Sequence, residues 1–185
     1  MSEVHRQERR LLQGKACVTQ ITVREYHKDD AERVGRLIAD TYSEYNLDFA
    51  ATEDRGPFLG PFQQAYSPHE AHKEAIASVI QSEMLFVAED TDENEIVGVL
   101  RGRAERLASL FVKGDRHRQG IGCKLIKRFE QVSREQGVQV IRVAATLYGI
   151  PFYLAMGYKR STGLRSGWSF EGHELPTQPM RKVLC

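Results

Sequence analysis

The chain has 185 residues, 41% of them hydrophobic, and its 26 basic and 25 acidic side chains leave a formal net charge of +1. That length favours one domain with a sizeable core. Because the positive and negative charges nearly cancel, nucleic acid or an anionic membrane is not expected as a partner. No apolar run reaches the roughly 18 residues of a membrane span, and the charged start lacks the apolar stretch of a signal peptide. Three cysteines far apart in the sequence indicate free thiols in a reducing compartment, so we expect a cytoplasmic protein.

The chain opens with a polar stretch, an alternating strand and an amphipathic helix. Residues 1–19 mix both charges and are typical of a frayed extension, with a short helix packed on a partner as the alternative. The folded domain is expected over 20–185, and alternation predicts its first strand at Ile21–Glu25. Two aspartates before Ala31 can cap a helix that runs to about Tyr45. Its predicted inward stripe is Val34, Leu37, Ile38, Thr41 and Tyr45.

The next segment, Asn46–Tyr66, combines glycines and prolines with four aromatic side chains and is predicted to be a loop that carries apolar groups. Ser67-Pro68-His69-Glu70 has the pattern of a capping box with proline at the first helical position. The helix that it opens is predicted to end near Ser82. Its predicted inward residues are Ala71, Ala75, Ile76, Val79 and Ile80.

Strand patterns dominate the second half of the chain. Met84–Glu89 and Ile96–Gly102 flank a polar turn and are predicted to form a hairpin, and Leu107–Val112 follows closely. Val138–Ala145 is nearly all apolar, as expected of a strand buried on both faces. The remaining predicted elements are a short helix around Pro151–Met156 and closing strands at Trp168–Phe170 and Met180–Leu184.

The most informative stretch is the turn between the strand that ends at Val112 and a helix that runs to about Gln136. The first amides of a helix have no internal partner and carry partial positive charge, and Gly120 and Gly122 let a ligand approach the backbone closely. The turn is therefore predicted to seat a phosphorylated ligand, with a tight turn that holds no ligand as an equal alternative. Neither the Walker pattern nor the dinucleotide fingerprint is present. Four cations add positive charge there: Lys113, Arg116, Arg118 and Lys124.

Two blocks of this sequence resemble the motifs of the GCN5-related N-acetyltransferase (GNAT) superfamily. The run Leu110-Phe111-Val112, followed by Arg118-Gln119-Gly120-Ile121-Gly122-Cys123, resembles its acyl-CoA-binding motif, Gln/Arg-x-x-Gly-x-Gly/Ala after a strand that ends in Val. The run Phe152–Tyr158 resembles its Phe-Tyr-x-x-x-Gly-Phe/Tyr block. His117 departs from the pattern, because it stands where the family has Gln or Arg. The resemblance extends over about residues 20–185.

The resemblance implies an α+β, three-layer fold with a mixed central sheet of about six to seven strands, flanked by helices. Two parallel strands of this sheet would splay apart to form the cofactor cleft. Acetyl-CoA would be the co-substrate, with no metal. Its diphosphate would lie on the amides of Gln119–Cys123, and its pantetheine arm would pair with Leu110–Val112 as an added strand does. The cofactor-binding residues expected on this basis are Leu110, Phe111, Val112, His117, Arg118, Gln119, Gly120, Ile121, Gly122 and Cys123.

The implied reaction is transfer of an acetyl group from acetyl-CoA to a primary amine, by direct attack in a ternary complex. Tyr153 is the candidate general acid, because a phenol can give a proton to the leaving CoA thiolate; a core tyrosine is the alternative. Glu105 is the candidate general base, although a solvated turn residue is the favoured interpretation of its position. Glu89 and Asp90 are weaker candidates for the base.

The acceptor is expected to be a small-molecule or peptide amine, and the sequence leaves its identity open. In the resembled family the segment between the first two helices commonly lines the acceptor site, so Asn46–Tyr66 either does this or pins the loop to the core. Members of the family often dimerise, so a homodimer is an option that the sequence leaves open. The alternative functions are a catalytically weak acyl-CoA sensor or interaction module of the same fold and, third, a nucleotide-binding protein unrelated to CoA.

Two further residue patterns receive structural interpretations. Cys123 stands at a helix N-terminus, where a thiol can become nucleophilic, but we interpret it as a small packing residue. His69 and His72 are three residues apart on a predicted helix, and without a third ligand nearby a solvated face is favoured over a metal site.

Overall fold

Eight strands form one mixed sheet in the computed structural model, which describes residues 20–168, 170 and 173–184. They lie in the order β1-β2-β3-β4-β5-β8-β6, and β7 pairs with β8 off this path. The predicted α+β class is confirmed, with more strands than the six to seven expected. The strands are β1 Ile21–Glu25, β2 Met84–Asp90, β3 Glu95–Arg103, β4 Arg106–Val112, β5 Val140–Thr146, β6 Lys159–Arg160, β7 Arg165–Trp168 and β8 Glu174–Val183.

Helices cover both faces of the sheet. Two of them, α3 and α4, pack on one face, where Ile126 and Phe129 are fully buried. Two others, α1 and α2, pack on the opposite face, where Ile38 and Ile80 are fully buried. The sheet therefore has an α3/α4 face and an α1/α2 face, each with its own core. These helices are α1 Ala31–Thr41, continued by a π-helical turn at Tyr42–Asn46, α2 Glu70–Ile80, α3 Ile121–Glu135 and α4 Ile150–Ala155. The segment predicted to be a loop also contains one α-helical turn, Gly56–Leu59, between the 3₁₀ turns Thr52–Asp54 and Gly60–Gln64.

The parallel strands β4 and β5 pair only where they begin. The register joins Arg106 to Arg142 and Leu107 to Val143, and the two strands then separate. Because β4 continues to Val112, its second half has a strand neighbour on one side only, namely β3. The result is the open cleft that the resemblance implied.

The capping box predicted before α2 does not form. The helix begins at Glu70 with His69 as its N-cap, and the Ser67 hydroxyl oxygen accepts a hydrogen bond from the His69 amide at 3.3 Å. The Glu70 carboxylate bonds Lys73 at 2.8 Å instead of reaching back to the cap. The proline that precedes His69 therefore lies outside the helix.

Two predictions of burial were wrong. Ala71 and Ala75 of α2 are exposed, because only one narrow stripe of this helix contacts the core. In β5 alternate residues are buried on the α3/α4 face, whereas Arg142 and Ala144 point to the opposite face and are exposed. This strand is therefore buried on one face only.

The ends of the chain complete the description. The closing strand predicted at 168–170 occurs at Arg165–Trp168, and the one predicted at 180–184 is the end of the longer β8. The extension predicted over 1–19 lies outside the described residues. In the described part of the chain, no helix is both long and apolar enough to cross a membrane.

Candidate active site

A cavity of about 1100 Å³ opens where β4 and β5 separate. Its walls come from β4 and β5, from the turn before α3 and from α4. It also extends past Thr41, Tyr42 and Asn46 to β7 and β8. One cleft thus joins the turn that was predicted to seat a phosphorylated ligand to a second region lined by the α1–α2 segment and the last strands.

The turn before α3 leaves a run of backbone amides without an internal partner. Gly120 is the N-cap of α3 with φ +79°, and Arg118 also has a positive φ, of 62°. Within the described residues no atom accepts a hydrogen bond from the amides of 118–123, and the Lys124 amide is the first to donate, to the Gly120 carbonyl at 3.0 Å. Such a run of N–H groups at a helix N-terminus is suited to a phosphate group.

The cations of this turn are less available than the sequence suggests. Arg116 forms an ion pair with the buried Asp90 at 3.2 Å, and Lys113 is bound to Glu95. Of the four cations only Arg118 makes no hydrogen bond or ion pair to the described residues. The Lys124 ammonium keeps its charge, because its partner is the neutral Ile21 carbonyl. The positive character of the seat therefore comes from its amides, from Arg118 and from Lys124.

Gly122 has a packing role that the sequence pattern did not reveal. A Cβ atom at this position would lie 3.1 Å from Cε2 and Cζ of the Phe152 ring, which is closer than side chains normally approach. At Gly120 such a Cβ would have nothing within 4 Å, so glycine is favoured at this position by the left-handed φ and not by packing. The two motifs of the sequence are thus in direct contact, with the glycine of the first against the phenylalanine of the second.

The free edge of β4 faces the cleft. The Lys113 amide donates to the Val97 carbonyl of β3 at 2.9 Å, and backbone polar groups alternate sides along a strand, so those of Leu110 and Val112 point away from β3. The Val112 carbonyl accepts a hydrogen bond from Nε2 of His117 at 2.7 Å. One of the backbone groups on which pantetheine pairing was expected to depend is therefore already occupied.

The other predicted cofactor residues differ in what they offer. Phe111 is 4% exposed and packs edge-on against Tyr42 in the α1/α2 core, and its backbone polar groups face β3, so it offers a ligand no free hydrogen-bonding group. The Gln119 side chain donates to the Asp115 carbonyl at 3.1 Å. Ile121 is buried, whereas Cys123 is partly exposed in the cleft wall.

Tyr153 lies in the wall of the cleft and is 6% exposed. Its ring is held by those of Phe152 and Tyr158, with centroids 5.3 and 5.5 Å away. Its hydroxyl makes no hydrogen bond to the described residues, and burial raises the pKa of this phenol well above its usual range. The hydroxyl therefore stays protonated at neutral pH and is available to donate to a group in the cleft.

The carboxylates considered as the general base lie elsewhere. Glu105 is on the turn between β3 and β4, its side chain is 60% exposed, and its nearest cation is Arg103 at 3.9 Å. It does not line the cleft, so the structure does not bring it together with Tyr153, and the solvated-turn alternative fits its position. Glu89 and Asp90 are both engaged in ion pairs on β2.

Arginines dominate the charged part of the cleft wall, a feature that the sequence analysis missed. Among the described residues that line the cleft there is no Asp or Glu. Burial lowers the pKa of the Arg101 guanidinium, which donates to the Val79 carbonyl and has no carboxylate partner in the described part of the chain. The lining arginines are Arg101, Arg106, Arg116, Arg118, Arg142, Arg165 and Arg181.

The histidine pair on α2 is occupied by local contacts. The rings of His69 and His72 are 5.4 Å apart, and Nδ1 of His72 lies 2.7 Å from the Ser67 hydroxyl oxygen. The described residues contain no group of three or more His, Cys, Asp or Glu side chains that could hold a metal ion.

An open mixed sheet whose two parallel strands splay beside a glycine turn defines a class of acyltransferase fold. The model of the GNAT acetyltransferase domain family matches residues 38–184 of this chain. The chain therefore belongs to the GNAT acetyltransferase family. No curated protein sequence matches it.

Solved structures agree with this assignment of fold. A GCN5-related N-acetyltransferase from Rhodopseudomonas palustris is similar with a TM-score of 0.71 and 20% identity, over 92% of this chain and 100% of that one. The PaiA N-acetyltransferase from Thermoplasma acidophilum, in complex with coenzyme A, has a TM-score of 0.64 and 15% identity, over 89% and 99%. A putative acetyltransferase from Salmonella typhimurium, with its cofactor acetyl-CoA, has a TM-score of 0.54 and 17% identity, over 90% and 95%. At such low identity these structures show the fold alone.

Proposed function

We propose that this protein transfers an acetyl group from acetyl-CoA to a primary amine by direct attack in a ternary complex. The observation that carries the proposal is the run of amides at 118–123, which have no hydrogen-bond acceptor among the described residues, next to the free edge of β4. The amides suit a diphosphate, and the strand edge suits the amide groups of a pantetheine arm. The CoA and acetyl-CoA in the two similar structures named above support this choice of co-substrate.

Backbone groups do most of the holding. The amides of Gln119–Cys123 would bind the diphosphate, with Arg118 nearby as a cation that has no partner among the described residues. Because His117 already occupies the Val112 carbonyl, pairing with pantetheine relies on the Val112 amide and on both backbone groups of Leu110. The His117 ring is fixed for this role by Tyr45, whose ring centroid lies 4.6 Å away.

The chemistry needs no covalent enzyme intermediate. The amine nitrogen attacks the thioester carbonyl, a C–N bond forms, the C–S bond breaks, and CoA leaves as the thiol. A free amide on the edge of β4 stabilises the oxyanion, and the Tyr153 hydroxyl donates a hydrogen bond to the departing sulfur. The proton that the amine gives to water is balanced by the one that the thiolate takes up, so Tyr153 ends the reaction protonated. Most of the rate gain comes from holding amine and thioester together.

The charge of the cleft wall explains how the amine loses its proton. No carboxylate lines the described wall, so a water molecule takes the proton. Neighbouring arginines and removal from water both disfavour an ammonium ion, and they lower the pKa of a bound amine toward its reactive neutral form.

Two measurements test the proposal. Isothermal titration calorimetry should detect acetyl-CoA binding, and no binding at tens of micromolar would contradict the account. Release of free thiol from acetyl-CoA is then followed with a panel of amines, and at least one amine should raise the rate above hydrolysis.

The second candidate function is an acyl-CoA sensor or interaction module of the same fold. The observation that favours it is the lack of a carboxylate base in the described cleft wall. This candidate predicts tight acetyl-CoA binding together with no amine-dependent thiol release.

A further inference from the structure

Five basic side chains form one row across the sheet, called here the cationic row. The strand registers pair Arg103 with Arg106, Arg106 with Arg142, Arg142 with Arg181, and Arg181 with Lys159. Residues that are directly paired share one face of a sheet, so all five lie on the same face, and all five are exposed. At the usual spacing between strands the row is about 19 Å long.

The face that carries the row is the α1/α2 face. Arg101 stands two residues before Arg103 on β3 and therefore points to the same side, where it donates to the Val79 carbonyl of α2. The α3/α4 side of these strands carries Leu107, Val143 and Met180 instead, which belong to the α3/α4 core.

The described residues do not balance the charge of this row. Within the described part of the chain its only ion pair is the one between Arg103 and Glu105, at 3.9 Å between two exposed side chains. Like charges placed directly opposite each other destabilise a sheet, so the row carries a cost for the fold. Residues 1–19 contain four basic and two acidic side chains, so the composition of this segment does not suit it to neutralise the row.

The row leads into the cleft. Arg106, Arg142 and Arg181 line its wall, and no described Asp or Glu does. On β4 the row is at Arg106, four residues before Leu110. The row therefore lies about 13 Å from the Leu110 backbone groups that are proposed to position the thioester. An acceptor that enters the cleft along this part of its wall therefore passes over the row.

We propose that the acceptor is an acidic polypeptide, with its free amine in the cleft and its following acidic side chains along the cationic row. This inference rests on the proposed function for the reaction of the amine. An extended peptide covers about 13 Å in about four residues, so acidic residues at positions three to six would reach the row. The length of the row favours a polymer over a small metabolite.

The surface is poorly suited to single-stranded nucleic acid. Such ligands stack their bases on aromatic side chains between cations. The neighbouring positions on the same face, beside the row, are Ser109, Ala144 and Pro179, none of which is aromatic. Polycationic amines are disfavoured by repulsion from the same arginines.

Binding of labelled peptides to the full chain, loaded with CoA, tests the proposal without depending on catalysis. One peptide of about ten residues carries a free N-terminus and glutamates at positions three to six, and its twin carries glutamines there. Fluorescence anisotropy should show at least about tenfold tighter binding of the glutamate peptide, the combined size of several exposed ion pairs. The difference should shrink as salt is raised, because the row is exposed.

Variants locate the effect. In R142Q/R181Q the preference for the glutamate peptide should fall below about threefold, and the melting temperature should not decrease, because two opposed like charges are removed. The matched control is R160Q, since Arg160 is exposed and follows Lys159 on β6 but pairs with Met180 on the opposite face. This control should keep the full preference.

The outcomes separate this inference from the proposed function. Equal binding of the two peptides, a preference that survives in R142Q/R181Q, or tighter binding of single-stranded DNA or anionic vesicles would overturn the acidic-peptide assignment. If the preference is present and lost as expected, but neither these peptides nor any amine of the panel is acetylated, the row is an acidic-peptide site and the proposed reaction is wrong.

Discussion

Removing the hydroxyl of Tyr153 tests its proposed role at the leaving group. This hydroxyl lies in the cleft wall and makes no hydrogen bond to the described residues, so Tyr153→Phe removes no contact inside that part of the protein. The ring keeps its packing against Phe152 and Tyr158. We therefore expect the free energy of unfolding to change by less than about 0.5 kcal/mol.

The expected effect on turnover follows from the bond that is lost. A hydrogen bond to a developing thiolate is charge-assisted and contributes about 1.5–3 kcal/mol. If it forms only as the C–S bond breaks, its loss lowers kcat by about 10- to 150-fold while acetyl-CoA affinity stays within about twofold. Thiol release at saturating substrates gives kcat, and calorimetry gives the affinity. Because burial raises the pKa of Tyr153, the wild-type rate should show no loss from its ionisation below about pH 10.

The matched control makes the same change in the neighbouring ring. Tyr158 is 1% exposed, burial and the nearby Glu130 carboxylate raise the pKa of its phenol, and it does not line the cleft. Tyr158→Phe should leave kcat within about twofold of wild type, because no hydrogen bond to substrate is lost. Unaltered turnover in Tyr153→Phe, or an equal loss in both variants, would refute the assignment of Tyr153.

Two further predictions concern the seat and the fold. Gly122→Ala places a Cβ 3.1 Å from the Phe152 ring, so we expect a stability loss of about 1–3 kcal/mol, measured by melting, and weaker CoA binding, measured by calorimetry. In the control Gly163→Ala the new Cβ has nothing within 4 Å, so stability and CoA binding should both be unchanged. Equal losses in the two variants would contradict the packing argument. Burial opposes ionisation of Asp30, but hydrogen bonds, chiefly from Arg24, outweigh it and hold its pKa at about 2. The ionised carboxylate therefore contributes about 2 kcal/mol above about pH 4, which is lost as the pH falls through 2, and denaturant unfolding of Asp30→Asn should lack that pH dependence.

The strand–turn–helix unit before Gly137 could be predicted from the sequence because its signals are local. The change from an apolar run to helical spacing sets the end of β4 at Val112 and the start of α3 at Ile121, as observed. Gly120 does adopt the left-handed conformation that a turn glycine suggests. The resemblance to the family followed from these residues together with the Phe152–Tyr158 block, and the family model confirms it.

Other features depend on which strand lies beside which, and no local pattern contains that information. The hydrogen bond from His117 to the Val112 carbonyl requires the turn to fold back on the strand. The exposed face of β5 was missed because its small apolar residues conceal the alternation around Arg142. The cationic row is scattered from Arg103 to Arg181 in the sequence, and a net charge of +1 gives no sign of it.

The central claim is that the unengaged amides at 118–123 bind the diphosphate of CoA. Titration of the ¹⁵N-labelled protein with CoA, followed by amide NMR, tests it most directly. We predict that the largest chemical-shift changes occur at Gln119–Cys123 and that they saturate with the affinity measured by calorimetry. Saturable CoA binding that leaves these amides unshifted, or no binding at all, would contradict the account.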